Sequence, residues 1–290
     1  MQITAGQTVL LTGASGGLGS VMARTLARRG VRLALVAHPG IALEPLAEEL
    51  QQQGIRTLAL IADLRHSGER RRVVETTEQT LGPIDLLINN AGVEHNGYYH
   101  ELPESSIEQV LSVNLTAAMV MTRWVLPGML RRRRGHVVNI SSLAGMAGPA
   151  FQEPYAASKA GLIAFTQSLR ATYRGSGVSA SVLVPGFVET GIYTRLKLQA
   201  GRPAPFFLRP VSPDRVVRAL FRAVERDLAE VFVTYFPVRP LLLWILCAPG
   251  WAARLTHALG ANAFFRAAAL SCCAQSPARP ASAGLQDPPS

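Results

Sequence analysis

The stretch Thr8-Val9-Leu10-Leu11-Thr12-Gly13-Ala14-Ser15-Gly16-Gly17-Leu18-Gly19 decides the fold. Its opening apolar run reads as a buried strand. A glycine-rich turn follows, then a helical pattern through Met22, Leu26 and Arg29 that Gly30 closes. A strand, a glycine turn and a helix N-terminus together make a phosphate cradle. Backbone N–H groups and the helix dipole face the anion, and the missing side chains let it approach. At the start of a βαβ unit this signal is more specific than a lone glycine-rich turn.

The alternation continues outward from that unit. A strand at 31–37 precedes a helix around 43–53. A strand at 56–61 ends in Asp63-Leu64 and leads to a helix near 69–81. The strand at 84–88 enters Asn89-Asn90-Ala91-Gly92, and a long helical stretch from about 103 to 130 carries Asn114 inside its apolar pattern. The strand His136-Val137-Val138-Asn139-Ile140 runs into Ser141-Ser142. A helix spans 155 to about 173, and a strand at 178–184 ends in Pro185-Gly186. Each strand is nearly all apolar, which means a parallel sheet covered on both faces. The expected fold is α/β: a single Rossmann-type doubly wound parallel sheet with helices on both faces, plus a C-terminal apolar helical extension.

The chemistry concentrates between Ser142 and Tyr155-Ala156-Ala157-Ser158-Lys159. Tyr155 and Lys159 are four apart and share one helix face. Pro154 precedes the tyrosine, where a helix start tolerates a missing N–H. An ammonium one turn from a phenol stabilises the phenolate and lowers its pKa, so Tyr155 is expected to act as general acid/base. Ser142, at the end of a buried strand, can meet it over a substrate oxygen. A Tyr-x-x-x-Lys pair alone is common on solvated helices; the surrounding pattern gives this one its weight.

With 290 residues, 48% hydrophobic and 17% charged, the chain can bury a sizeable core. Its net charge of +10 suits an anionic partner such as a phosphorylated cofactor or an acidic membrane surface. Nucleic acid is disfavoured, because the arginines are scattered apart from Arg131–Arg134, a run that reads as a dipole-complementing helix end. Cys247, Cys272 and Cys273 form neither a disulfide framework nor a metal-ligand spacing, so no metal is expected and the compartment is reducing. No charged-then-apolar signal segment opens the chain, and a cytoplasmic location is expected.

Thr12-Gly13-x-x-x-Gly17-x-Gly19, Asn89-Asn90-Ala91-Gly92, Asn114, Ser142 with Tyr155 and Lys159, and Pro185-Gly186 with Thr190 occur in one order and spacing. Together they resemble the short-chain dehydrogenase/reductase family in its common core form, from residue 8 to about 235. By that resemblance Gly13, Ser15, Gly17, Leu18 and Gly19 form the cofactor loop, with Asp63 and Leu64 on the adenine side. Asn90, Ala91 and Gly92 stabilise the sheet there, and Pro185, Gly186, Val188 and Thr190 hold the nicotinamide end. Tyr155 exchanges a proton with the reacting oxygen, while Lys159 lowers its pKa and bonds the nicotinamide ribose. Ser142 bonds the substrate oxygen, and Asn114 holds a water in a relay through Lys159. The implied reaction is hydride transfer between a nicotinamide cofactor and an alcohol or ketone. A homodimer through the helices at 103–130 and 155–173 is also implied.

A carboxylate at the end of the second strand would bond the ribose 2′-hydroxyl of NAD and repel the phosphate of NADP. Ala37 stands there, followed by His38, which with Ser15 can contact a phosphate. NADP(H) is favoured over NAD(H), although the arginine or lysine of many NADP-using members is missing too. The segment 187–210, with Tyr193, Phe206 and Phe207, lies where the family's substrate lid lies. Its apolar character points to a small hydrophobic alcohol or ketone, lipid-like, steroid-like or retinoid-like. A soluble 3-oxoacyl-type reductase and a non-catalytic NADP-binding scaffold are the alternatives.

The expected division is a catalytic domain at 1–236 with a lid at about 187–211, an apolar helical extension at 237–270 and a disordered tail at 271–290. Within the extension, Leu241-Leu242-Leu243-Trp244-Ile245-Leu246-Cys247-Ala248 falls short of the ~20 residues that span a bilayer. Arg239, Arg254 and Arg266 punctuate the segment, and tryptophans sit near its breaks. Peripheral membrane contact through 237–265 stands beside two alternatives: capping of the protein's own pocket and burial in a dimer partner.

Overall fold

The structure, a computed structural model, describes residues 1–238, 240, 242, 245 and 247–274. Much of the apolar run at 241–248 and the tail from 275 onward lie outside the described residues. Seven strands form one parallel sheet: β1 Thr8–Thr12, β2 Arg32–Ala37, β3 Thr57–Ile61, β4 Ile84–Asn89, β5 Gly135–Ile140, β6 Val178–Pro185 and β7 Glu230–Val233. Their order is β3-β2-β1-β4-β5-β6-β7. The winding reverses between β1 and β4, and a crevice opens there at the strands' carboxyl ends.

The helices before the substrate-side segments are α1 Gly17–Ala27, α2 Glu44–Gln52, α3 Ser67–Leu81, α4 Glu104–Leu111, α5 Ala117–Arg131 and α6 Glu153–Thr172. After β6 come α7 Gly191–Ala200 and α8 Pro213–Glu225, followed beyond β7 by helices Pro249–Ala258 and Ala261–Ala274. Alternate strand residues point to opposite faces, and both faces are buried. Val9 and Leu11 pack with Met22, Leu26 and Leu220 on one side, while Leu10 packs with Val73, Met121 and Val125 on the other. That is why the strands read as unbroken apolar runs rather than alternating ones. Each such side chain contributes about 1.5–3 kcal/mol on burial.

The expected long helix is continuous but not regular. Between α4 and α5, residues Ser112–Thr116 form a π turn. One extra residue per turn swings Asn114 inward, to 1% exposure, and π turns of this kind gather at functional sites. The Arg131–Arg134 run does sit at a helix end. Arg132 donates to the Ile84 carbonyl at 2.8 Å, and Arg134 lies 3.9 Å from Asp85.

Beyond the lid, in a stretch with no expected helix or strand, stand α8 and β7. The helix was there to be read: Val216, Val217, Leu220, Phe221 and Val224 recur on one face and are buried. The C-terminal helix runs to Ala274, past the boundary at 271 where a disordered tail is expected.

Candidate active site

A cavity of ≈ 1020 Å³ lies at the carboxyl ends of the strands, between the glycine turn and the segments after β6. That is room for a dinucleotide and a substrate together. At its first end the turn is packed so tightly that side chains do not fit. Gly13 has φ +65°, and a Cβ there would lie 2.8 Å from Ala91 Cα. A Cβ on Gly19 would run into the Gly13 carbonyl oxygen. The end of β4 holds this turn in place. Asn90 Nδ2 donates to the Thr12 and Gly13 carbonyls at 3.0 Å each, and Thr12 Oγ1 accepts from the Asn90 and Ala91 N–H groups at 3.0 Å.

Helix α1 starts at Gly16 with no side-chain cap and no acidic residue in its first turn. Its first N–H groups are therefore free of side-chain acceptors. Gly13, Ser15, Gly17, Leu18 and Gly19 line the cavity, as do Asn90, Ala91, Gly92, Pro185, Gly186, Val188 and Thr190. Bare donors and absent side chains fit a dinucleotide's phosphates.

Beyond the end of β3, Ala62, Leu64 and Arg65 line the cavity on either side of Asp63. The Asp63 carboxylate takes the Arg65 guanidinium at 2.6–3.0 Å, and that bond holds it well below the usual carboxylate range. Asp63 thus anchors Arg65, a cation the sequence did not single out. His38 also borders the cavity, with its Nδ1 2.6 Å from the Pro39 carbonyl oxygen.

At the centre stand Ser142, Tyr155 and Lys159, all lining the cavity. Ser142 caps a short 3₁₀ turn, its Oγ accepting from the Ala144 N–H at 3.2 Å, and it lies near enough to the Tyr155 hydroxyl to favour the phenolate. Lys159 donates to the Ile140 carbonyl at 2.9 Å, and its Nζ lies 5.6 Å from the Tyr155 ring centroid. The expected lowering of the Tyr155 pKa by Lys159 is not what this arrangement produces. Burial raises the phenol above its ordinary value and the charge of Glu94 adds to the rise; only Ser142 opposes it. Burial also brings the Lys159 ammonium down to about 8.

Asn114 is close by, and its side-chain amide is fully engaged. Its Oδ1 accepts from the Val93 N–H at 2.8 Å, and its Nδ2 donates to the Val93 carbonyl at 2.9 Å and to Ser158 Oγ at 3.1 Å. The amide thereby ties the loop after β4 to α6, and α6 carries Tyr155 and Lys159.

The far end of the cavity is built from parts the sequence did not bring together. Residues 189–210 leave and rejoin the body through a two-stranded bridge, Val188 beside Val211. Helix α7 packs its Leu196 against Phe264, Phe265 and Ala268 of helix Ala261–Ala274, with Phe187 and Ile192 around them. Phe264 is fully buried and Phe265 is 6% exposed. Ala261, Asn262 and Phe265 of this helix line the cavity.

Polar groups at this end are few. Gln152 Nε2 reaches Glu94 Oε2 at 3.3 Å and Asn96 Oδ1 at 2.8 Å, and Arg195 Nη2 on α7 lies 3.8 Å from Glu94 Oε1. Burial raises the Glu94 carboxyl to about 7, against the pull of Arg195 and Asn96. The folded chain therefore keeps this proton to higher pH than the unfolded chain does. Stability should fall as pH rises from about 4.5 toward 7, and the cost should persist above that. Glu94→Gln is expected to raise stability by up to about 3 kcal/mol at about pH 8 and to change it little at about pH 4. Urea unfolding at the two pH values checks this.

Residues 7–200 match the short chain dehydrogenase family. Over 251 residues the chain is 37% identical to the ketoacyl reductase HetN of Nostoc sp., covering 86% of this chain and 86% of that protein. It is 36% identical over 191 residues to nodulation protein G of Rhizobium sp., covering 66% of this chain and 77% of the relative. Among solved structures, a variant of actinorhodin polyketide ketoreductase with NADPH superposes with a TM-score of 0.73. It is 27% identical, and the match covers 79% of this chain and 95% of that one. The protein belongs to the short-chain dehydrogenase family, and it is an NAD(P)-dependent oxidoreductase.

Proposed function

We propose that the protein interconverts a secondary alcohol and a ketone on a hydrophobic substrate, with NADP(H) as its cofactor. One observation carries the reading: Ser142, Tyr155 and Lys159 converge between a glycine-built phosphate cradle and an apolar pocket. A bound nicotinamide supplies or accepts the hydride; the protein orients the partners and moves the proton. Tyr155, whose raised pKa keeps its proton in place at neutral pH, gives that proton to the oxygen of the ketone as it becomes an alcohol. Ser142, which lines the cavity beside the phenol, fixes the same oxygen. Lys159 holds a positive charge below about pH 8 and would bond the nicotinamide ribose. Asn114 acts through the position of α6, since its side chain is occupied by Val93 and Ser158.

NADP(H) is supported at the end of β2, where Ala37 offers no carboxylate and His38 and Arg65 border the cavity. Asp63, the nearby acid, is already neutralised by Arg65. Ala37→Asp should shift the kcat/KM ratio toward NADH by at least about tenfold, one charge repulsion of roughly 1.4 kcal/mol. A wild type that already prefers NADH would count against the assignment.

The apolar pocket walls, Phe187, Ile192, Leu196 and Phe265, support a lipid-like ketone with the segment 187–211 as its lid. A 3-oxoacyl substrate is the second reading, favoured by the relative named a ketoacyl reductase. Turnover of a free lipid-like ketone against an acyl thioester separates the two. Homodimer contacts through α5 are supported by the exposure of Met119 and Trp124. Helix Pro249–Ala258 exposes Trp251 with Arg254 over its ring, which suits a headgroup boundary. If it meets membranes, the full chain should float with anionic liposomes and Trp251→Ala should reduce the floating fraction; a full chain that stays with the unbound protein excludes this contact.

A further inference from the structure

We infer that Glu94 is a specificity-determining residue that accepts a hydrogen bond from a hydroxyl group of the substrate, close to the reacting carbon. The inference rests on the ketone-reductase reading and deepens it. Glu94 follows the Asn89-Asn90-Ala91-Gly92 turn, its side chain is 4% exposed, and it borders the same cavity as Tyr155 and Ser142.

An ionised carboxylate has about four acceptor positions and no donor. The protein fills them poorly. Gln152 reaches one oxygen at 3.3 Å but makes its shorter bond, 2.8 Å, to Asn96. Asn96 lies close enough to favour the ionised carboxyl. Arg195 stops at 3.8 Å, well outside the roughly 2.7–2.9 Å of a charge-assisted hydrogen bond.

Burying an incompletely partnered carboxylate is costly, and costs of that kind collect where a site needs the group. The surroundings say what the need is. Leu143, Ala147, Phe187, Ile192, Leu196 and Phe265 line this end of the cavity. In an apolar pocket a single placed polar group decides which substrate binds and which way round. Above about pH 7 the carboxyl is ionised and only accepts, so the missing partner there is a donor. It belongs near the reacting carbon, because Glu94 borders the same cavity as Tyr155 and is bonded by Gln152, which caps the helix that carries Tyr155.

A latch from Glu94 to Arg195 on α7 is the competing role. Arg195 is 58% exposed and its approach is loose, and pairs of that kind contribute little.

The test uses an aliphatic methyl ketone and its β-hydroxy counterpart of equal chain length. The hydroxyl carbon of the second ketone is tertiary, so NADP⁺ cannot oxidise it, and both are titrated calorimetrically into NADP⁺-loaded protein, which reduces neither, at about pH 8 where the Glu94 carboxyl is ionised. Wild type should bind the hydroxy ketone about 10- to 100-fold more tightly. Glu94→Gln should bring that ratio close to one, and Arg195→Ala should leave it standing. Equal binding of the two ketones by wild type, or a ratio that survives Glu94→Gln, overturns the inference. So does a ratio lost equally in Arg195→Ala, which is the latch. Turnover with NADPH is measured beside this. Reduction of both ketones without preference defeats Glu94 alone, whereas a binding preference without any reduction defeats the reductase reading alone.

Discussion

Tyr155→Phe is expected to lower kcat by more than about 10²-fold, the usual share of a positioned acid/base, while the Kd for NADPH stays within about threefold of wild type. The substitution removes one hydroxyl from a buried ring and leaves its packing, so the fold should survive it. What it removes is the proton donor that faces the cavity beside Ser142. Single-turnover kinetics with a ketone, alongside a cofactor titration, separate the two effects. Retained turnover would take the acid/base role from Tyr155, and a collapse of cofactor binding would show that the phenol serves the cradle instead.

Gly19→Ala should have the second large effect, and at the opposite end of the cavity. Its new Cβ would enter the Gly13 carbonyl oxygen and stand 2.9 Å from Ala14 Cα. Both are backbone atoms, so no side-chain rotation relieves the overlap. Overpacking of this kind costs about 1–3 kcal/mol, and it falls on the turn whose N–H groups form the phosphate cradle. The Kd for NADPH should rise by at least about 100-fold, roughly 2.7 kcal/mol, with the far-UV circular dichroism spectrum retained. A variant that binds NADPH as tightly as wild type would show that the turn does not carry the phosphates.

The parts of the molecule that sequence reveals are those whose physics is local. Val9 to Leu11 announce a doubly buried strand because both faces of the sheet are covered. Gly13, Gly17 and Gly19 announce a close approach, because a turn between a strand and a helix leaves no other use for so many missing side chains. Tyr155 and Lys159 are neighbours by helix geometry alone.

What stays hidden depends on partners distant in the chain. The bonds from Asn114 to Val93 and Ser158 need a π turn that no periodicity marks. The pKa of Tyr155 follows burial and Glu94 rather than Lys159, and burial is a property of the assembled pocket. Phe264 and Phe265 suit a membrane surface, a pocket cap or a dimer partner equally by sequence, and only the fold sets α7 against them. Arg65 and Glu94 look like ordinary charged loop residues until the cavity brings Asp63 to one and Gln152 to the other. Short β7, Glu230–Val233, is an edge strand with too little chain to announce itself.

A panel of hydrophobic ketones and acyl thioesters, assayed by cofactor absorbance with NADPH and NADH in parallel, tests the proposed activity most directly. Expected is NADPH-dependent reduction of at least one apolar ketone, with a higher kcat/KM than with NADH and loss of the signal in Tyr155→Phe. Consumption of neither cofactor with any carbonyl compound, while NADPH still binds, would contradict it and leave a cofactor-binding protein without this chemistry.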